Sequence, residues 1–398
     1  MDIKTILNEL TLEEKAALLT GATSMTSGEV QRLQVKAKRF ADGPHGVRTT
    51  PEDKCTLFPN LCCVGATWDT DLVYKLGQAL GDECIEHGID MLLAPGINIK
   101  RTPLCGRNFE YFSEDPVIAG ELGAAYINGV QSRGVGTSLK HYALNNQEIG
   151  RNTVSVEIDL RVMREIYLKG FEIAVKKANP TSVMCSYNKV FSVWVSENKH
   201  LLTDILKKEW GYNGFVVSDW GAVQDICRCV CAGLDLQMPR NNNIVEQIKE
   251  GLAKGKVSME AIDGAVMAML RFLATDTPKP VAPFDRKAQH TLARNVAADG
   301  IVLLENRNNA LPLTAKKYKK IAVMGEYAVA PLISGQGAAE VYSGEENIDN
   351  PLEELKKALG ARQTVKYNPT TYNFGVIFKR NIYIIVIIYI KFSEFYNR

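Results

Sequence analysis

The sequence predicts an α/β fold: a (β/α)8 TIM-like barrel over residues 1–285, then the beginning of a second α/β sandwich domain over 286–372. Short apolar runs of strand length alternate with segments of helical period, the pattern of a parallel sheet with helical crossovers. At the ends of several of these runs the pattern breaks into charged and aromatic clusters, which a barrel would gather at one mouth. An open doubly wound sheet is the competing architecture. No Gly-x-Gly-x-x-Gly follows a first strand and no Walker loop is present, so nucleotide binding has no support.

The elements follow in order. Thr11-Leu12-Glu13-Glu14 is a capping box that opens a helix running to Leu19. Phe40 to Arg48 is a turn-rich loop holding Asp42 and His45 between glycines and a proline. Leu72, Leu76, Ala79, Leu80 and Cys84 lie at helical spacing between Trp68 and Gly88, and Met91 to Gly96 is a strand stopped by Pro-Gly. A helix over Glu121–Val130 leads to a strand at Gly136–Leu139, and a helix over Asp159–Lys177 to one at Thr181–Tyr187. Leu201–Trp210 is helical, Phe215–Val217 is a buried strand, and Leu234–Pro239 a further short strand. Helices over Ile244–Lys254 and Met259–Leu273 close the barrel region.

The second unit is expected to start near Asp285, with a helix at 289–299, strands at Ile301–Leu304 and Ile321–Gly325, a helix at Leu352–Leu359 and a strand at Thr364–Tyr367. From 373 to 398 the composition changes abruptly. Asn381 to Ile390 is nearly all Ile, Tyr and Val, too short to span a bilayer as a helix, which needs ~20 residues. We read it as a frame that has lost its proper continuation rather than as a native terminal strand.

Composition narrows the function. Lys+Arg 47 against Asp+Glu 45 leaves a net charge of +2, which gives no electrostatic case for nucleic acid or an anionic membrane. The first residues show no signal-peptide apolar region, and the nine cysteines form no Cys-x-x-Cys pair. A reduced, cytoplasmic protein without metal or cofactor is expected; its oligomeric state is not legible.

Candidate chemistry sits at the strand ends: Asp42 to His45; Lys100-Arg101 with Arg107 to Glu110; Lys140-His141; Tyr187-Asn188; and Asp219-Trp220. Each has a plainer reading. Asp219 could cap the next helix, Arg107 and Glu110 could be a surface i,i+3 pair, Lys140-His141 a solvated pair, and Trp220 core packing. Converging in one mouth, carboxylates, cations, a histidine and aromatics suit a neutral polyhydroxylated ligand, since charged groups bind adjacent hydroxyls and rings pack on C–H faces.

These residues resemble glycoside hydrolase family 3, in its β-glucosidase branch. The resemblance rests on Ala41–Arg48, on Ala94–Pro116, on Lys140-His141-Tyr142, on Ser186–Lys189 and on Val217–Gly221, in the family's order, and extends to about residue 370. It implies a retaining β-glycosidase with Asp219 as nucleophile, acting on a small glucoside or short oligosaccharide. It implies that Asp42, Arg107, Lys140, His141, Arg151 and Tyr187 hold the terminal sugar, with Met184 and Trp220 lining the subsite. Arg107 and Lys140 are expected to keep the Asp219 pKa low. The family's acid/base glutamate has no motif match here, so a truncated, impaired sugar-binding relative is the alternative, and a β-xylosidase or arabinosidase of the same family a third. The histidine of the family's N-acetylglucosaminidase branch is missing from Tyr142–Glu148.

Overall fold

In the computed structural model of the chain the described residues are 2–276, 280, 283–314, 316–318, 320–331, 333, 337, 340–344, 348–360 and 364–369, with the backbone of 384–387. They fall into two compact units, Met1–Ile301 with Ala338–Tyr342, and Val302–Gly337 with Ser343–Arg398.

The first unit opens with helices α1 (Ile3–Glu9) and α2 (Leu12–Leu18), the latter carrying the expected capping box of Thr11 and Glu14. Strand β1 (Phe40–Asp42) is followed by α3 (Leu61–Ala66), α4 (Thr70–Glu86) and β2 (Met91–Leu93). Then come α5 (Pro116–Gln131), β3 (Gly136–Tyr142), α6 (Lys169–Ala178), β4 (Ser182–Cys185), the π-type helix α7 (His200–Glu209) and β5 (Phe215–Ser218). Helices α8 (Ile226–Ala232), α9 (Ile244–Ala253), α10 (Met259–Leu273) and α11 (Arg286–Gly300) complete it.

Strands β1 to β5 form one parallel sheet in sequence order, and residues 91–93, 136–142, 182–185 and 215–218 are buried throughout. Such uniformly apolar strands are what a parallel sheet covered on both faces requires. The sheet curls shut. Ser218 N–H bonds Leu236 O, Gln237 N–H bonds Leu19 O, Ala22 N–H bonds Thr26 O, and Phe40 N–H returns to Met25 O at 2.8 Å. Phe272 of α10 packs against both Phe40 of β1 and Phe215 of β5, the two strands at the sheet's edges, with ring centroids 6.2 and 5.0 Å apart.

Among the described residues the barrel's sheet has five regular strands, where eight were expected, and irregular backbone with single bridges fills the remaining arc. Leu234–Pro239, expected as a strand, supplies only single bridges through Leu236 and Gln237. Its Asp235 turns instead to Lys207 and to the Val216 N–H, which breaks the ladder.

Helices α4 and α5 cross with their backbones in contact. A Cβ on Gly129 would lie 2.2 Å from Tyr74 O, and one on Gly77 2.4 Å from Tyr126 O. Gly129→Ala should therefore overpack the crossing and destabilise the fold by about 1–3 kcal/mol. Urea denaturation would check this through a lower midpoint at an unchanged m-value.

The expected boundary near Asp285 moves to residue 301, because α11 belongs to the first unit. Ala293 and Val296 enter that unit's core, Gln289 donates to Ala79 O, and Gly300 lies flat on Cys63, leaving 2.4 Å for a Cβ. Ile301–Leu304 is not a strand: it has no ladder partner among the described residues, and its side chains are 60–93% exposed.

The second unit holds a parallel sheet of β6 (Lys320–Met324) flanked by β7 (Thr364–Asn368) and β8 (Ile384–Ile387), with α12 (Pro351–Leu359). Its core gathers Ile321, Val323, Ala328, Leu352 and Leu359. Apart from β8, the stretch from 373 lies outside the described residues.

Candidate active site

Asp219 follows β5 directly, and its N–H is tied to Cys185 O at 3.1 Å. It does not cap the next helix; Asp225 does, accepting from Cys227 and Arg228 N–H. Gly221 takes φ +85°, a left-handed turn that favours glycine, and its N–H bonds Met238 O. The carboxylate is thus left at the sheet end with only 6% residual exposure. Its Oδ1 accepts from the Trp220 N–H at 2.8 Å, whereas Oδ2 has no hydrogen-bond partner among the described residues.

Two cationic or polar groups face Oδ2. Arg107 Nη1 and His141 Nε2 each lie 3.7 Å away. Arg107 comes from the long loop after β2, which is stapled to β3: Lys140 N–H bonds Pro95 O and Ile97 N–H bonds Lys140 O. Gly96 permits this, since a Cβ there would sit 2.7 Å from Glu110 O. Asn98 reads the His141 backbone with both amide atoms, accepting from its N–H at 2.7 Å and donating to its C=O at 2.9 Å.

Glu110 is fully buried, hydrogen-bonded to Arg107 Nε and 3.4 Å from Lys140 Nζ. The Arg107–Glu110 pair is therefore not a surface pair: Glu110 is fully buried and Arg107 largely so. Burial raises the Glu110 carboxyl, but Arg107 and Lys140 outweigh it and hold it below its ordinary value. His141 is pushed well below the usual imidazole range by burial, then by Arg107, Lys140 and Arg151, so it stays neutral. Its Nδ1 shares a 3.0 Å hydrogen bond with the Tyr111 hydroxyl.

The expectation of a low Asp219 pKa is corrected. Burial raises it, and the field of Arg107 and Lys140 and the Trp220 N–H offset only part of that rise. Arg107 hydrogen-bonds Glu110 and lies 3.7 Å from Asp219, and at that distance its field does not outweigh the burial of the Asp219 carboxyl.

Tyr187 donates to Trp220 O at 3.1 Å, and Arg151 stacks on its ring, 4.2 Å from the centroid. Arg151 also pairs with Glu148 at 2.9 Å; burial pushes the Glu148 carboxyl up against Arg107 and Arg151. The half-buried Trp220 indole is fixed by Nε1 donating to Ser24 O.

Arg107, His141, Tyr187, Asp219 and Trp220 are therefore linked by direct contacts, Lys140 joins through Glu110 and Arg151 through Tyr187. Asp42, at the end of β1, pairs with Arg48 at 3.6 Å, and Met184 is buried in the apolar core of β4. Arg48 also meets Glu340 at 3.0 Å, within the same unit. Tyr111, Asn98 and Glu148 escaped the sequence analysis. Tyr111 and Asn98 lie inside the long run after Ala94, but only folding shows that they grip His141.

Three cations (Arg107, Lys140, Arg151) balance three carboxylates (Asp219, Glu110, Glu148) around neutral His141. Such a site can fix vicinal hydroxyls while presenting one unencumbered carboxylate oxygen as nucleophile.

Residues 6–272 match the profile of the glycosyl hydrolase family 3 N terminal domain, and 301–391 that of its C-terminal domain, which runs beyond the point near 370 where the resemblance was taken to end. Thermostable beta-glucosidase B of Acetivibrio thermocellus is 45% identical over 381 residues, 92% of this chain and 50% of the relative. An exo-alpha-(1->6)-L-arabinopyranosidase of Bifidobacterium longum is 39% identical over 84% of this chain and 47% of its own length. Beta-glucosidase 3B from Thermotoga neapolitana, solved in complex with glucose, superposes with a TM-score of 0.81 at 38% identity, over 86% of this chain and 52% of that one. The chain spans about half the length of the curated relatives it matches.

Proposed function

The chain belongs to glycosyl hydrolase family 3, and from that premise we propose a retaining β-glucosidase-like activity in which Asp219 attacks the anomeric carbon of a terminal β-D-glucosyl unit. The observation that carries it is Oδ2 of Asp219: buried, bare of hydrogen bonds among the described residues, and 3.7 Å from both Arg107 and His141. Arg107, Lys140, His141 and Arg151 supply donors for sugar hydroxyls, and Trp220 and Tyr187 supply ring faces. Asp42 and Met184 remain part of the proposed subsite. The arabinopyranosidase relative shows that the same scaffold accepts another pyranose, so the sugar is proposed from the beta-glucosidase relatives.

A retaining mechanism needs a second carboxyl that can carry a proton. Glu110 is held ionised between two cations, so it cannot donate. Glu148, raised by burial, is the carboxyl of this cluster suited to that work. If it cannot reach the leaving oxygen, the chain binds and traps sugar without completing turnover, the second reading. A reducing, cytoplasmic setting is part of the proposal, supported by nine free thiols.

Burst kinetics with an aryl β-glucoside bearing a good leaving group test the proposal. Release of about one equivalent of phenol, followed by slower turnover, is the expected result, since a good leaving group needs little acid help. Folded protein that releases none would contradict it.

A further inference from the structure

Folding brings together a second cluster of chemically able groups, away from Asp219. Cys55, Glu83 and His87 each place one ligand-type atom within 4.8 Å of the others. The sequence shows no metal-ligand set because Cys55 is remote from the other two in the chain. Glu83 and His87 are an i,i+4 pair on one face at the end of α4, His87 being its C-terminal cap. Cys55 arrives on the loop after β1, next to Thr56, which donates its N–H (2.7 Å) and hydroxyl (3.0 Å) to Glu83 Oε1.

That leaves Glu83 Oε2 buried with no hydrogen-bond partner among the described residues, and the residue is fully inaccessible. His87 Nε2 is likewise buried and unpartnered among them, while its Nδ1 faces Asp53 at 3.6 Å. An imidazole oriented by a carboxylate on one nitrogen and bare on the other is the arrangement of a metal-bound histidine.

We propose that Cys55, Glu83 and His87 form a zinc site that braces the 49–56 loop against α4. Thiolate, imidazole and carboxylate form a borderline-soft donor set that suits Zn2+ at about 2.0–2.3 Å, with a fourth position for water. Burial pushes the Cys55 thiol up to about 12 and the Glu83 carboxyl to about 7, so zinc binding would release the thiol proton, and the Glu83 proton in the fraction that carries one, to solvent. The dication then balances the two negative charges, and the nearby Arg286 favours both deprotonated forms. The brace would reach the candidate active site indirectly. Thr56 O would lie 2.6 Å from a Cβ on Gly46, and Phe58 N–H bonds His45 O, in the turn that carries Asp42.

The test uses the full chain, stripped with a chelator and titrated with zinc against a chromophoric competitor, then with cobalt. One zinc per chain and a thiolate-to-cobalt charge-transfer absorption are expected. Cys55→Ser should abolish that absorption. Asp53→Asn, behind His87, should weaken zinc by about 10–100-fold and His87→Gln by more, while Cys62→Ser changes nothing. If Cys55→Ser fails to fold, the affinity of the His87→Gln variant decides alone. Absence of the cobalt band, or a zinc affinity unchanged in His87→Gln, overturns the proposal.

Discussion

Asp219→Asn is expected to lower glucoside hydrolysis by about 10⁴-fold or more, ~5.4 kcal/mol of activation free energy, because an amide cannot form the glycosyl ester. The same variant should be more stable than the parent at neutral pH. Burial raises the folded-state pKa of Asp219, so the native protein retains a proton that the unfolded chain has already released. The parent then loses stability as pH rises from the unfolded value through the folded one. Asparagine stays neutral and does not. Melting temperatures of the two proteins should therefore diverge as pH climbs through that window, the variant higher. A variant that melts lower at every pH would contradict the account of Asp219 as a carboxylate held against its preference. The acid limb of kcat/KM in the parent should likewise lie above the ordinary aspartate range.

Arg107→Gln carries the largest expected stability cost. Arg107 hydrogen-bonds fully buried Glu110 and lies 3.7 Å from buried Asp219, so its loss leaves two carboxylates with Lys140 as the nearest cation. Removing one partner of a buried ion pair costs about 3–5 kcal/mol. Denaturant titration should show that loss at neutral pH and a smaller one in acid, where the stranded carboxylates take up protons. A double variant Arg107→Gln/Glu110→Gln should recover part of the loss, since the orphaned charge is then absent too. An Arg107→Gln protein as stable as the parent would show that the cluster is solvated, against the burial described.

The candidate site was legible where the residue type itself announces the chemistry. Asp219 ends an apolar run of strand length, and Lys140-His141 ends another, so the strand rule of parallel barrels places them together. Glu110 was ambiguous because i,i+3 spacing to Arg107 fits an exposed turn as well as a buried one. Only Gly96, by letting the loop backbone press on Glu110 O, sends the pair inward. The direction of the Asp219 shift was misjudged for a related reason: cations nearby in the sequence say nothing about how deeply the carboxyl is buried, and burial outweighs them. Tertiary competition also explains the fold-level differences. Helix Arg286–Gly300 reads as the start of a new unit, but Ala293 and Val296 find their core in the first. Ile301–Leu304 has a strand's composition without a neighbouring strand among the described residues, and a ladder partner is what a strand needs.

The most direct measurement traps the intermediate. A 2-deoxy-2-fluoro-β-glucoside with a good leaving group destabilises the oxocarbenium-like transition state and slows breakdown of the ester more than its formation. Intact mass should rise by one fluoroglycosyl group, and peptide mapping should place it on Asp219. Labelling on Glu110 or Glu148, or an unchanged mass in protein that still hydrolyses aryl glucosides, would contradict the account.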